Sequence, residues 1–278
     1  MAKRRRGIVL DKSYLQAAPY KAVRRLCQRY EVAMPDVLFF ELMSNEQGRA
    51  SCFRKLPEGD NPVKLLPGVG ELLRIEIDTH GACGKPSARA LDIAYKFNTK
   101  LAVGSLVFTE KQRQHVDDEV TMLRRDVDGL VQRVEAVATM FPQLLGGRDA
   151  ERRALKEEIE RTISSDRKAL LTFYASLQPP PGAKPLPHPS RLRSNWAIFR
   201  WLQVNLLMGV DLLYRYKLTL QQPGVLTEKL ATHLEHEVLD SHYVIIGALE
   251  GALATRDRNV RRLWHLLKPN ALLVPRLL

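Results

Sequence analysis

Residues 239–257, LDSHYVIIGALEGALATRD, carry the pattern that decides the fold of this chain. Their apolar residues recur at helical spacing up to Gly251, a typical helix end, which predicts a helix over 240–250. A short buried strand is predicted over 252–255, and Asp257 follows its end. A helix of about 11 residues spans roughly 16 Å, and a strand of about five spans a similar distance. If the two pack antiparallel, Asp240 and Asp257 reach the same edge of a sheet.

Two acids near the N-terminus are expected at that edge as well. The apolar run at 7–10 ends in Asp11, which predicts a first strand with an acid at its carboxyl end. Residues 32–34 predict a second strand, and 35–42 predict a helix with Glu41 in its second turn. Open α/β folds place their sites beyond the carboxyl ends of the strands. Four carboxylates are therefore predicted to converge on a Mg²⁺ or Mn²⁺ site: Asp11, Glu41, Asp240 and Asp257.

These motifs resemble those of the PIN-domain nucleases. Members of that family begin with a strand that ends in Asp, as in IVLD at 8–11, and continue with a helix like the one at 35–42. They close with an Asp-led helix, Gly, a short strand and Thr-x-Asp, as at 240–257, and then a helix and a Pro-flanked strand, as at 268–275. The resemblance covers residues 5–60 and 225–278. The long middle of the chain departs from it, because compact members of the family lack such a segment.

The resemblance implies a fold and an activity. We expect an α/β protein with a PIN-like three-layer α/β/α sandwich, a mainly parallel sheet and a long all-α insertion. The nuclease domain would comprise residues 1–90 and 191–278, and the insertion residues 91–190. The implied activity is that of a metal-dependent endoribonuclease, which cleaves single-stranded or structured RNA with Mg²⁺ or Mn²⁺ and leaves a 5′-phosphate and a 3′-hydroxyl.

Four residues beside the acids are candidate substrate-binding groups. Ser13 and Thr255 each lie two residues from an acid, so they either orient a carboxylate or phosphate or only cap a local turn. Arg256 and Arg258 flank Asp257, where they either hold the scissile strand or balance the charge of the cluster.

Composition agrees with a globular protein that has an anionic partner. Hydrophobic residues make up 45% of the 278 residues, and the formal net charge is +12, which favours nucleic acid over membrane as the partner. The three cysteines are widely spaced, which indicates a reducing compartment without a disulfide framework. Only four residues separate the basic run at 3–6 from Asp11, so we expect no export signal and a cytoplasmic protein.

The middle of the chain is predicted to be mostly helical. Residues 49–90 are rich in Pro and Gly and predict loops, with one strand at 72–77. A heptad seam runs over 116–141, and Gly146-Gly147 separates it from a second helix. This pattern predicts an antiparallel helical hairpin or, alternatively, a coiled coil for a homodimer or a protein partner. The Pro-rich stretch at 178–190 predicts a connector, and the apolar stretch at 195–220 a buried helix without a membrane span.

Two other functions remain open on the sequence. Arg258 and His265 fit the Arg-x(4–6)-His motif of the HEPN ribonucleases, in which a helical dimer cuts RNA without metal. A non-catalytic RNA- or protein-binding module with a degenerate acid cluster is the third possibility. The sequence also leaves open the RNA substrate and a role as toxin, defence effector or processing enzyme. It does not decide whether Glu237 or Asp211 joins the acids, although Asp211 is expected to pair with Arg215, its i+4 neighbour.

Overall fold

A single parallel sheet organises the part of the chain that the computed structural model describes, residues 5–177, 182–216 and 227–274. Its strand order is β3-β2-β1-β4-β5, and every neighbouring pair is parallel. The strands are β1 (Gly7–Leu10), β2 (Glu31–Pro35), β3 (Lys64–Leu66), β4 (Ala252–Ala254) and β5 (Leu272–Val274). Parallel neighbours need long crossover connections, which here are helical. The mixed α/β class predicted from the sequence is therefore confirmed.

Helices make up most of the described residues and lie on both faces of the sheet. The first six are α1 (Lys12–Ala17), α2 (Tyr20–Arg29), α3 (Asp36–Ser44), α4 (Glu46–Lys55), α5 (Val69–Thr79) and α6 (Thr99–Val103). The others are α7 (Glu110–Met140), α8 (Asp149–Ser165), α9 (Arg167–Ser176), α10 (Ala197–Tyr216), α11 (Glu228–Glu250) and α12 (Arg258–Leu267). Among them, none is long and apolar enough to cross a membrane.

The strands separate two apolar cores because successive side chains point to opposite faces. In β1, Ile8 and Leu10 pack into the core formed with α1–α4, whereas Val9 packs into the core formed with α7–α12. The long helices therefore share a core with one face of the sheet. Burial of both faces explains why the strands are short continuous apolar runs without polar alternation.

The long helix α7 agrees with the predicted heptad segment, but its packing differs from the predicted hairpin. α7 lies mainly against α10 and α11, while α8 lies against α10. The C-terminal half of the seam, from Val127 to Val137, is buried within the chain, whereas Val116, Val120 and Leu123 are only partly buried. Periodicity shows that a helix face is apolar and does not show which element covers it. Within the described residues, only the N-terminal half of the seam is left for a homodimer or protein partner.

The prediction for residues 49–90 was largely wrong. This segment contains most of α4, then β3 and α5, and the residues expected as a strand at 72–77 belong to α5. The alternation of apolar and polar residues there imitates a strand, but the buried positions are Val69, Leu72 and Glu76, which follow helical spacing. Glu76 is buried because its carboxylate accepts the N–H groups of Cys83, Ala197 and Ile198 at 2.8–2.9 Å. It thereby caps the start of α10.

The signals at 239–257 correspond closely to the structure. The helix predicted over 240–250 is the C-terminal half of α11, Gly251 adopts the left-handed conformation that ends it, and the predicted strand is β4. Parts of other predicted segments lie outside the described residues. They are Lys3 and Arg4 of the basic run, residues 178–181 of the Pro-rich connector, residues 217–220 of the apolar helix, and Pro275.

Candidate functional site

Asp11 and Asp257 lie at the carboxyl edge of the two central strands. Asp11 follows β1 and caps α1, and its N–H donates to the carbonyl oxygen of Ala254 at 3.0 Å, next to the end of β4. Asp257 follows β4 after a short turn and caps α12 by accepting the N–H of Val260 at 2.9 Å. Both acids stand there because an Asp after a strand satisfies the free N–H groups of the helix that begins next. The two acids therefore follow neighbouring parallel strands at the same edge of the sheet.

Ser13 and Thr255 join these two acids into one hydrogen-bonded unit. The Ser13 hydroxyl donates to Asp11 Oδ2 at 2.6 Å and accepts the Asp257 N–H at 3.0 Å. The buried Thr255 hydroxyl donates to the same Asp11 oxygen, and Thr255 Oγ1 accepts the Asp257 N–H at 3.1 Å. The two alternatives from the sequence therefore coexist, since the hydroxyls orient the Asp11 carboxylate and also close the turn before α12.

Glu41 reaches the site from α3 and contacts two groups that the sequence did not suggest. Its Oε1 lies 2.9 Å from the Lys12 ammonium, and its Oε2 accepts the Tyr243 hydroxyl at 2.6 Å. Tyr243 follows Asp240 by three residues on α11, so the two share one face of that helix. Helical spacing could have revealed Tyr243. Lys12 is adjacent to Asp11 in sequence and could have been considered for that reason.

Asp240 has different surroundings from the other three acids. Its partly buried carboxylate forms no hydrogen bond or ion pair with another described residue. The pKa of Asp240 is raised to about 9, first by burial and then by the negative charges of Asp257, Asp11, Glu237 and Glu41, in that order of effect. All three of the other predicted acids are thus close enough to act on Asp240.

Asp11 has a smaller shift, because its surroundings partly compensate for burial. The pKa of Asp11 is raised to about 6, mainly by loss of water, and the charge of Glu41 contributes in the same direction. The hydrogen bonds from Ser13 and Thr255 oppose these effects, because they stabilise the ionised carboxylate. Asp11 is only 2% exposed, so little water reaches it.

The predicted arginines lie at the rim of the site. Arg256 and Arg258 are both exposed, and neither forms an ion pair with an acid among the described residues. Within the described part of the chain, the Arg256 guanidinium donates to the Ala17 carbonyl oxygen at 3.4 Å. His265, the second residue of the HEPN-like pair, is also exposed and lies two turns beyond Arg258 on α12.

The sequence did not decide whether Asp211 or Glu237 joins the acid cluster, and the two residues have different surroundings. Asp211 pairs with Arg215, as predicted, and also with Lys156 and Arg262, at 2.8–3.1 Å. It therefore belongs to an ion network among α8, α10 and α12. Glu237 pairs with Arg215 at 2.7 Å and still contributes to the raised pKa of Asp240.

The donor chemistry of the cluster fits a hard divalent cation. All four predicted ligands are carboxylates, which Mg²⁺ and Mn²⁺ prefer. Burial and then the neighbouring negative charges raise the pKa of Asp240, and a bound cation would oppose both effects. The present arrangement of the four acids does not enclose an ion: within residues 5–177, 182–216 and 227–274, no three His, Cys, Asp or Glu side chains form a group that could hold one. The carboxylates of Asp11, Asp257 and Glu41 are instead engaged by protein groups.

The chain was compared with protein-family models, with curated proteins and with solved structures, and none of the three comparisons gave a match. The resemblance to PIN-domain nucleases therefore depends on the order of the sequence motifs.

Proposed function

We propose that this chain is a PIN-like, metal-dependent endoribonuclease that cleaves single-stranded or structured RNA at the acid cluster. The observation that carries this proposal is the convergence of the acids at one sheet edge: the Ser13 hydroxyl contacts both Asp11 and the Asp257 N–H. The charges of Asp11, Glu41 and Asp257 also add to the raised pKa of Asp240, after burial. Acids that are held together at a cost to the protein are typical of a site whose function needs them.

The topology supports this position for an active site. The chain builds the sheet outward from β1 to β2 and β3, and then adds β4 and β5 on the other side of β1. The order of the strands therefore switches between β1 and β4. Ligand sites of open α/β sheets lie beyond the carboxyl ends of the strands at such a switch point, and Asp11 and Asp257 follow these two strands. The same strand order and the helices on both faces agree with a PIN-like sandwich.

The acids and the two hydroxyl groups of the site would have different roles. Asp11, Glu41, Asp240 and Asp257 would hold Mg²⁺ or Mn²⁺, and a bound divalent ion lowers the pKa of water and neutralises charge on a reacting phosphate. Ser13 and Thr255 keep the Asp11 carboxylate in one orientation through the hydrogen bonds described above.

The arginines would bring the substrate to this edge. Arg256 and Arg258 carry positive charge at the rim without neutralisation by a described acid, so they can attract the phosphodiester backbone. The net charge of +12 favours association with RNA over the whole surface.

Cleavage of end-labelled RNA tests the proposal. We expect the wild type to cut single-stranded RNA with Mn²⁺ and to stop with EDTA. Asp11→Asn should abolish the cleavage, because it removes one proposed ligand charge with little change in shape. Asp60→Asn is the matched control, since Asp60 is 75% exposed and pairs only with the exposed Lys96.

The alternatives predict different outcomes of the same assay. Cleavage that resists EDTA and is lost on His265→Ala would favour the metal-independent, HEPN-like reaction of Arg258 and His265. RNA or protein binding without cleavage under any condition would favour a non-catalytic module. Either outcome would contradict the proposed function.

A further inference from the structure

Lys12 is a cation inside the acid cluster. It is the first residue of α1, directly after Asp11, and its Nζ lies 2.9 Å from Glu41 Oε1. The side chains of Lys12 and Glu41 are 20% and 8% exposed, so the pair is largely shielded from water. Among the described residues, Lys12 is the cation that forms an ion pair with one of the four predicted metal ligands.

The position of Lys12 explains how the cluster tolerates its own charge. Four carboxylates near one another repel strongly where water is scarce, so a nearby positive charge stabilises the group. Tyr243 donates to the second Glu41 oxygen, which leaves both oxygens of this acid engaged. A metal ion that takes Glu41 Oε1 as a ligand competes with the ammonium of Lys12 for that oxygen.

A lysine suits displacement better than the arginine nearby. Arg215 bridges Asp211 and Glu237, with contacts of 2.8 and 2.7 Å, and is therefore fixed by two acids. Among the described residues, the Lys12 ammonium contacts Glu41 alone, and a lysine ammonium is a point charge on a flexible stem. Release of Lys12 would therefore break one ion pair with an acid, whereas release of Arg215 would break two such ion pairs.

We propose that Lys12 is the internal counter-ion of the acid cluster, which neutralises Glu41 in the metal-free protein and is displaced when a divalent metal ion binds. This inference deepens the proposed function and rests on it. It assigns Lys12 a positioning role that lowers metal affinity.

Titration of free Mn²⁺ by electron paramagnetic resonance tests this assignment without any activity readout. The proteins compared are the wild type, Lys12→Met, Lys12→Gln and Lys64→Met. Lys64 is the matched control, because its ammonium pairs with Glu31 at 3.0 Å and its side chain is 26% exposed. Lys64 begins β3 and Glu31 begins β2, so this pair lies at the opposite edge of the sheet from the acid cluster. We expect both Lys12 variants to bind Mn²⁺ at least about tenfold more tightly than the wild type, and Lys64→Met to be unchanged.

The outcomes separate this inference from the proposed function. Mn²⁺ binding by the wild type with no gain in either Lys12 variant would overturn the role of Lys12 alone. Absence of Mn²⁺ binding in all four proteins would overturn the metal site and this inference together.

A second measurement needs no substitution. In wild-type protein with ¹³C-methylated lysines, saturation with Mg²⁺ should shift the Lys12 resonance and leave the Lys64 resonance in place. An unmoved Lys12 resonance under saturating Mg²⁺ would overturn the displacement.

Discussion

Replacement of Asp240 by Asn should stabilise the metal-free protein at neutral pH. The pKa of Asp240 is raised from 3.8 to about 9, mainly by burial and then by the neighbouring acids. Between these values the native state keeps a proton that the unfolded chain releases, so the free energy of unfolding falls as pH rises. Asn cannot ionise in either state. The variant therefore escapes this loss and gives up no hydrogen bond with a described residue.

The magnitude follows from the linkage between proton binding and folding. Each unit of pKa shift is worth about 1.4 kcal/mol, which gives a ceiling of about 4 kcal/mol at pH 7. Asp240 is only partly buried, so solvent screening reduces the expected gain to about 2 kcal/mol. For a chain of this length, such a gain raises the Tm by roughly 4–8 °C.

Urea unfolding in EDTA at pH 4, 7 and 9 measures this effect. The difference between Asp240→Asn and wild type should be smallest at pH 4, close to the unfolded-state pKa of 3.8, and should grow toward pH 9. Asp60→Asn should differ from wild type by less than about 1 kcal/mol throughout, as is usual for an exposed ion pair. A variant that is neutral or less stable at pH 7 and 9 would refute the electrostatic account of Asp240.

Three further predictions concern other parts of the molecule. Ser13→Ala should weaken Mn²⁺ binding by about 10–100-fold, because it removes the hydrogen bond that orients Asp11, and an unchanged calorimetric affinity would contradict this. Glu76→Gln should lower the free energy of unfolding, measured by urea denaturation, by about 2–3 kcal/mol. The reason is that one of the two carboxylate oxygens that accept backbone N–H groups is replaced by an amide NH₂, which is a donor. A loss below about 0.5 kcal/mol would be inconsistent with Glu76 as the cap of α10. Arg258→Ala should weaken binding of single-stranded RNA and reduce the slope of log affinity against log salt by about 0.7, measured by fluorescence anisotropy. The same substitution of Arg74, an exposed residue paired with Glu71, should leave that slope unchanged.

The sequence predicted the central edge of the sheet because the relevant signals there are local. An apolar run followed by Asp predicts both a strand and the cap of the next helix, which is how Asp11 and Asp257 are used. The helix-Gly-strand pattern before Asp257 is local in the same sense, and it corresponds to α11, Gly251 and β4. The convergence of these elements then follows from parallel pairing of β1 with β4.

The partners of the acids could not be predicted in the same way. The contact of Glu41 with Tyr243 joins residues 202 positions apart, and no local pattern specifies it. Helix α5 was missed because its buried Glu76 is polar, which makes its helical face resemble the alternation of a strand. The heptad seam predicted α7 itself, whereas its partners α10 and α11 depend on the tertiary fold.

The most direct test of the central claim is the binding of Mn²⁺ to the purified protein by isothermal titration calorimetry. The claim is that Asp11, Glu41, Asp240 and Asp257 act together as one divalent-cation site. We predict saturable binding to the wild type, and its loss in the double variant Asp11→Asn/Asp240→Asn with the fold retained by circular dichroism. Equal binding by wild type and double variant, or no binding by a folded wild type, would contradict the claim.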